Sequence, residues 1–372
     1  MKFTIDKNTL LENLSNVTKA ISIKNVIPVL NGIKMDLNDD GLYLTASNTD
    51  LTIKSFIKKD KIKKVTSTGS IVIQSKFITE IIRKLPDELI DIEVIDGLKV
   101  LIKSKNSQFN LNCLKVEDYP QIKLEYQKDP IIINGNLFKS IIRQTVYAIS
   151  NQESRPLLTG INFKLMGNIM EVTATDSYRL SKKTVNLTEF VKDEINITIP
   201  GSNISELDKI IIDDEPIEMH IFSNKALFIY KNITFQTNLL SGTYPNTNNL
   251  IPDNFSTIIN VNYNDFFAAV DRASLLTQNK EKNIVKMETK NNKLTISSFS
   301  SEIGRVEEKI DVEKNESADL GISFSAKYMM DALKTIDDTE IVILLNSEIK
   351  PIIIKSSQDE TLIQLILPIK TY

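Results

Sequence analysis

The sequence predicts an α+β chain of three similar units whose sheets are mainly antiparallel. Two observations carry that expectation. Short apolar runs of period 2 outnumber stretches of helical period, and the helical stretches are few and evenly spaced. The second observation is a constant shift. Moved back by 128, Ile131, Asn134, Phe138, Ile142, Ala148, Ile149 and Gly160 fall on Phe3, Asp6, Leu10, Leu14, Ala20, Ile21 and Gly32. Moved forward by 128, Ile131, Ile133, Asn134, Phe138 and Ile142 fall on Ile259, Val261, Asn262, Phe266 and Val270. A spacing this constant marks duplicated units. The expected domains are 1–126, 127–253 and 254–372.

Taken in order, the first unit reads as a strand at 2–5 and a helix from Asn8 to about Ala20. Val26-Ile27-Pro28 forms a turn or extended connection. Alternating strands follow at 33–37, 42–47 and 51–57, with Asp39-Asp40-Gly41 as a hairpin turn. A strand at 71–73 leads into a helix from Ser75 to Leu85, stopped by Pro86. Strands at 90–95, 100–104 and 108–114 complete the unit. Pro120 and Asp129-Pro130 mark a polar linker. The second unit repeats the plan, with helices at 136–149 and, after Pro200-Gly201, at 202–211. Gly242-Thr243-Tyr244-Pro245 opens the next linker and echoes Asp118-Tyr119-Pro120. The third unit places helices at 264–276 and 326–335 and ends in an apolar strand at 362–367. Asp50 and Asp176 read as matching positions with a shared turn or cap role.

At 372 residues the chain is long enough for each of three units to bury its own core. It has no run of about 18 apolar residues that would span a membrane. Met1-Lys2-Phe3-Thr4-Ile5-Asp6 lacks the basic-then-apolar profile of a signal peptide. The single cysteine, Cys113, cannot form an internal disulfide, so a reducing cytoplasm is the expected compartment.

Enzyme chemistry is hard to assemble from this sequence. His220 is the only histidine and sits in a strand-like run. No Ser-His or Cys-His pair, zinc-type cluster or glycine-rich phosphate loop is present. No cofactor or metal is therefore expected. The acidic clusters Asp213-Asp214-Glu215 and Asp337-Asp338 follow second helices, where acidic turns are common. A magnesium-dependent nuclease built on them, and a repeat adaptor that binds peptides without nucleic acid, are the competing readings.

Charge is distributed unevenly. The windows 7–24, 76–85, 136–155, 202–212, 264–282 and 325–334 cover the predicted helices with flanking turns. They hold fifteen Lys or Arg and nine Asp or Glu, while the remaining chain holds 30 basic and 39 acidic residues. Basic helices beside acidic strands and loops point to an anion facing the helices, and duplex phosphates fit. Aromatic interleaving is absent, which argues against base readout and single-strand stacking.

Met1-Lys2-Phe3-Thr4-Ile5, Ala174-Thr175-Asp176-Ser177-Tyr178-Arg179-Leu180, Gly242-Thr243-Tyr244-Pro245 and Leu367-Pro368-Ile369-Lys370 together resemble the bacterial DNA polymerase III beta subunits, the replicative sliding clamps. The resemblance runs the full length. It implies a non-catalytic clamp that encircles duplex DNA and tethers the polymerase for processive synthesis. It also implies a head-to-tail homodimer closed into a ring, with helices inside and antiparallel sheets outside. With six predicted helices from each chain spaced about 9 Å apart, such a ring would have a circumference of roughly 110 Å. Subtracting a helix diameter of ~10 Å leaves a channel on the order of 25 Å.

Three groups of residues follow from the resemblance. DNA-facing positions are Lys24, Arg83, Lys84, Arg143, Gln152, Arg155, Lys280 and Lys282. A partner-peptide pocket is lined by Leu158, Thr175, Ser177, Tyr178, Arg179, Leu180, Pro245, Asn249, Leu250, Pro351, Leu365, Leu367, Pro368 and Ile369. Within it, Tyr178 and Arg179 are both expected near the surface. The dimer seam would join Phe109 and Leu111 to Leu275 and Leu276 of another copy. The implied partners are duplex DNA, a second copy of the chain, the replicative polymerase alpha subunit, the clamp loader and other proteins bearing a clamp-binding motif. No membrane is involved. Two departures stand out: Ser202 follows Pro200-Gly201, where some related clamps are basic, and Asn249 replaces an arginine that some relatives carry.

Overall fold

The repeat spacing becomes physical at the helix starts. The structure, a computed structural model, describes residues 1–22, 25–86, 88–96, 98–277 and 283–370. Its six α-helices are α1 (Lys7–Val17), α2 (Ser75–Lys84), α3 (Gly135–Val146), α4 (Gly201–Asp208), α5 (Tyr263–Ser274) and α6 (Ala326–Leu333), counted among the described residues. Asp6, Asn134 and Asn262, spaced by 128, each accept a backbone N–H from three residues on: Thr9 at 2.8 Å, Leu137 at 3.1 Å and Asp265 at 3.2 Å. A short side chain with a free oxygen satisfies one of the orphan donors of a helix start. One turn later, Leu10, Phe138 and Phe266 are fully buried, followed by the buried Leu14, Ile142 and Val270. A polar cap and an apolar stripe thus recur together in each copy.

The glycines of the repeat mark close approaches. A Cβ on Gly32 would lie 2.5 Å from Val72 Cγ1, and one on Gly160 would lie 2.6 Å from Leu240 Cδ1. Both glycines open strands that must pass a neighbouring side chain too closely for any larger residue.

Every described strand pair is antiparallel. By contacts the chain falls into two compact units, Met1–Phe138 with Asn203–Leu239, and Lys139–Ser202 with Leu240–Tyr372. This division differs from the three sequence units because strand pairing crosses the repeat boundaries. In the first compact unit, Ile233–Asn238 pairs with Leu51–Lys58 and makes an eight-stranded sheet. Asn13 buttresses that seam: its Oδ1 accepts from Ser55 Oγ at 2.5 Å and from Asn232 Nδ2 at 2.8 Å. In the second, Arg179–Pro200 pairs with Leu362–Ile366 and makes a seven-stranded sheet.

The observed elements begin and end close to the expected ones, with two differences. Ile62–Ser67 is a strand that the sequence pattern does not predict. It is a sheet edge on which only Ile62 is buried, so it lacks a clear alternation. Pro28–Asn31 is a 3-10 turn rather than a simple extended connection. No described helix is long and apolar enough to cross a membrane.

Candidate partner-docking site

The hairpin turn at 176–178 organises this site. It joins the long strands Gly160–Thr175 and Arg179–Pro200. Asp176 Oδ1 accepts the N–H of Tyr178 at 2.9 Å and of Arg179 at 3.0 Å. Thr175 Oγ1 accepts the N–H of Ser177 at 3.1 Å and donates to the Arg179 carbonyl at 2.6 Å. Ser177 adopts a φ of 78°, left-handed backbone held by these bonds. The first unit repeats the turn. Asn48 Oδ1 accepts from Asp50 N at 3.1 Å and Leu51 N at 2.8 Å, and Thr49 has a φ of 80°. The partner of Asp176 is therefore Asn48, not Asp50 as expected from the sequence. The turn role stands, but Asp50 occupies the position of Tyr178.

Arg179 is buried, at 8% exposure, whereas Tyr178 is 59% exposed. The expectation of two surface residues holds only for the tyrosine. The guanidinium is claimed on several sides. Its Nε donates to Asp176 Oδ2 at 3.1 Å and NH1 to Asp331 Oδ2 at 2.7 Å. Its carbon lies 4.5 Å from the Tyr328 ring centroid and 5.3 Å from that of Tyr147. Tyr328 stacks on Tyr178 at 6.5 Å. Arg179 is thus a positioning residue that holds the turn to α6. Tyr328 and Asp331 complete the site and were missed from sequence, because no motif ties α6 to a turn 152 residues away.

Strand register brings the apolar members together. Leu180 lies opposite Leu365 and Arg179 opposite Ile366. Leu180, Leu344, Ile353 and Leu365 form a buried cluster with Ile251 and Phe255 against it. The tail is tied down by Leu367 N donating to the Tyr178 carbonyl at 2.8 Å and Ile369 N to the Ser323 carbonyl at 2.7 Å. Above this floor, Tyr178, Leu250 (48% exposed) and Leu367 (38% exposed) present apolar surface, with Ser177, Pro245 and Asn249 also exposed. Pro351, Pro368 and Ile369 are half-buried. Thr175 is buried, its N–H donating to the Tyr244 hydroxyl at 3.1 Å. Leu158 is buried in the turn Pro156–Thr159, whose Leu157 covers Gly242. Rigid strands carrying a few exposed apolar side chains suit the docking of a short apolar peptide.

The DNA-facing positions are exposed where they are described. Arg83 pairs with Glu80 and Lys84 follows it at the end of α2. Arg143 pairs with Asp337 at 2.6 Å, and Arg155 donates to Ser177 Oγ at 2.9 Å, with Gln152 exposed nearby in sequence. Lys24, Lys280 and Lys282 lie outside the described residues. At the expected seam, Phe109 and Leu275 are exposed and Leu111 and Leu276 half-buried, so none of the four is core. Phe109 and Leu111 lie on Ser107–Asn112, the edge strand of a five-stranded sheet.

Asp213, Asp337 and Asp338 each spend their oxygens on bonds within the protein. Asp213 accepts from the Tyr230 hydroxyl at 2.5 Å and from Lys231, and these bonds, Lys231 first, lower its pKa. Asp338 accepts from Ser356 Oγ at 2.7 Å and Ser357 Oγ at 2.8 Å. Burial opposes its charge, but these bonds with the N–H groups of Glu340 and Thr339 outweigh burial and hold the carboxyl well below the usual range. His220 is buried, its Nδ1 accepting the Gln127 N–H at 2.9 Å. Among the described residues no group of three or more His, Cys, Asp or Glu converges as a metal site.

Comparison with known proteins agrees along the whole chain. Residues 1–123, 132–246 and 248–370 match in turn the N-terminal, central and C-terminal domains of the DNA polymerase III beta subunit. The beta sliding clamp of Bacillus subtilis (strain 168) is 42% identical over 378 residues, covering 100% of both chains. That of Staphylococcus epidermidis is 40% identical over 377 residues, again covering 100% of both. A crystal structure of the DNA polymerase sliding clamp from Bacillus subtilis superimposes with a TM-score of 0.96 at 42% identity, over 100% of each chain. The DNA polymerase III beta chain of Streptococcus pneumoniae gives a TM-score of 0.95 at 35% identity, with the same coverage. With all three domains matched in order and relatives this similar from end to end, the chain belongs to the DNA polymerase III beta subunit family.

Proposed function

We propose that this chain is a sliding clamp that encircles duplex DNA and tethers the replicative polymerase for processive synthesis, with no bond made or broken by the clamp itself. The observation that carries this reading is the full-length family match. The working form is a head-to-tail homodimer closed as a ring of three domains per chain, bounded near residues 126 and 253. The edge strands support it. Ser107–Asn112 and Gly304–Asp311 each end a sheet, and a bare edge carrying exposed Phe109 invites pairing unless a partner covers it. Lys99, Lys103 and Lys105 border the first edge, whereas the second carries Glu307, Glu308 and Asp311 beside Arg305 and Lys309, with Glu307 paired to both of those cations. A contact between different surfaces that closes on rotation produces a ring. Phe109 and Leu111 of one copy would meet Leu275 and Leu276 of the next.

The apolar surface around Tyr178, Leu250 and Leu367 is the docking site for short motifs of the polymerase alpha subunit, the clamp loader and other clamp-binding proteins. Arg83 and Lys84 on α2, Arg143 on α3, and Gln152 and Arg155 in the segment after it are the exposed side chains that would meet the duplex; Lys24, Lys280 and Lys282, named with them from the sequence, lie outside the described residues. The compartment is the cytoplasm, in keeping with one unpaired cysteine whose thiol burial pushes up to about 11. A loading assay tests the whole reading. Given a clamp loader and ATP, the protein is retained on nicked circular DNA and lost when the circle is cut. Equal retention on linear and circular DNA would refute encirclement, and magnesium-dependent cleavage of the DNA would refute the non-catalytic role.

A further inference from the structure

The duplicated frame holds a lysine at the same place twice. Lys54 and Lys182 are 128 residues apart, and each sits on the second strand of its hairpin, opposite Thr45 and Thr173 respectively. In the second copy the ammonium is neutralised from within. Lys182 Nζ lies 2.5 Å from Glu171 Oε2 and donates to Asn248 Oδ1 at 3.3 Å. In the first copy Tyr43 takes the place of Glu171. Lys54 Nζ lies 4.2 Å from the Tyr43 ring centroid, and that ring is stacked on Phe56 at 4.4 Å. Lys34, the nearest basic neighbour on the same face, is already paired with Asp36 at 3.2 Å. Among the described residues Lys54 has no carboxylate at ion-pair distance. Burial lowers its pKa, with Asp36 acting against burial and Lys34 with it.

This ammonium borders a cavity of about 480 Å³ between the strand face and the segment 116–124. The segment is anchored by Tyr119, which is buried with Val29, Leu30 and Val72 and donates to the Thr45 carbonyl at 3.3 Å. Val116 and Ile122 supply apolar wall, while Glu117 and Lys123 offset one another at the rim. A cation with no carboxylate at ion-pair distance, beside an apolar wall, suits one carboxylate flanked by an apolar group. A polyphosphate brings several charges to this one cation and would be repelled more strongly by Asp36 and Glu117.

We propose that this cavity is a second docking site, which takes one carboxylate side chain of an extended peptide at Lys54, in the role that Glu171 fills toward Lys182. The inference rests on the duplicated frame and is independent of DNA encirclement.

The test uses the full chain and a fluorescein-labelled hexapeptide with a glutamate between two leucines, alongside its glutamine twin, followed by anisotropy. The glutamate peptide should bind wild-type protein about tenfold more tightly than the twin, as expected for one charge-assisted bond. Lys54→Met should abolish that preference without moving the thermal midpoint, and Lys54→Arg should retain it. Equal binding of the two peptides to wild type, or a preference that survives Lys54→Met, overturns the proposal. Displacement of the glutamate peptide by an equal concentration of inorganic phosphate overturns it as well, since the site would then be a general anion hole.

Discussion

Position 179 carries a guanidinium where the first copy of the same turn has Leu51. The difference changes what holds the turn. Arg179 joins Asp176 and Asp331, with side chains only 12% and 28% exposed, and lies against two tyrosine rings. Removing one partner from a buried ion pair strands the others, at a cost of about 3–5 kcal/mol when burial is complete. Asp331 keeps some water, so Arg179→Leu should lower unfolding stability by about 2–3 kcal/mol in urea titration. Lysine should restore little, since it cannot span two carboxylates with a planar fork. A loss below about 0.5 kcal/mol, the scale of an ordinary surface change, would show that the network adds nothing. Tyr178 predicts the opposite pattern. It is mostly exposed and its backbone makes the turn, so Tyr178→Ala should leave stability within about 0.5 kcal/mol. The same change should weaken binding of a clamp-binding peptide by at least about tenfold, as loss of an aromatic anchor does. Unchanged peptide affinity would remove Tyr178 from the docking surface. Deleting Leu367 to Tyr372 bears on the same surface, because Leu367 is bonded to Tyr178 through the backbone.

The turn itself is the element whose chemistry repeats most faithfully. Asn48 and Asp176 each accept two backbone N–H groups, and the next residue sits at positive φ in both copies. Asn48→Ala should therefore cost about 1–2 kcal/mol, the penalty for losing side-chain acceptors. Thr49→Gly should instead gain about 0.5–1 kcal/mol, because a β-branched residue is strained at φ 80°. Chemical denaturation reads both, and a destabilised Thr49→Gly would show that the threonine side chain contributes more than its backbone strain costs. Much of this frame was legible in the sequence. The caps at Asp6, Asn134 and Asn262 and the buried positions one turn later lie at a fixed spacing, and helix geometry makes that spacing meaningful. Other features followed rules that letters alone do not expose. Matching Asp with Asp misaligned the turn, because asparagine accepts the same backbone bonds. Arg179 reads as surface, since one of its two carboxylate partners, Asp331, lies on a distant helix. The polar edge strand Ile62–Ser67 has too few apolar positions to show an alternation.

Across the whole molecule, three copies of one plan have diverged in surface chemistry while keeping their capped helices and buried stripes. That divergence leaves one frame with an exposed apolar surface at Tyr178, a bare edge strand at Ser107–Asn112 and exposed cations at 83, 84, 143 and 155. The edge is tested by Phe109→Asp with Leu111→Asp, which should give monomers in analytical ultracentrifugation while peptide binding persists; a surviving dimer would place the seam elsewhere. The cations lead to a sharper expectation. Arg83 and Arg143 are each paired with a carboxylate of the same chain, and Arg155 with a serine hydroxyl. Exposed pairs of this kind contribute at most about 1 kcal/mol and weaken as salt screens them. Phosphate contacts made by such groups are correspondingly weak, so a ring that depended on them would leave DNA as salt rises. A ring held by topology would not. Replacing Arg83, Lys84, Arg143 and Arg155 with glutamine should therefore slow loading at low salt, since fewer counterions are released on encounter. It should leave the lifetime of the loaded protein on closed circular DNA within about twofold of wild type, since exposed substitutions rarely open a folded assembly. Single-molecule dwell times at low and high salt separate the two regimes: a lifetime on the closed circle that falls steeply with salt, or with the loss of these four side chains, would mean that charge and not closure holds the duplex.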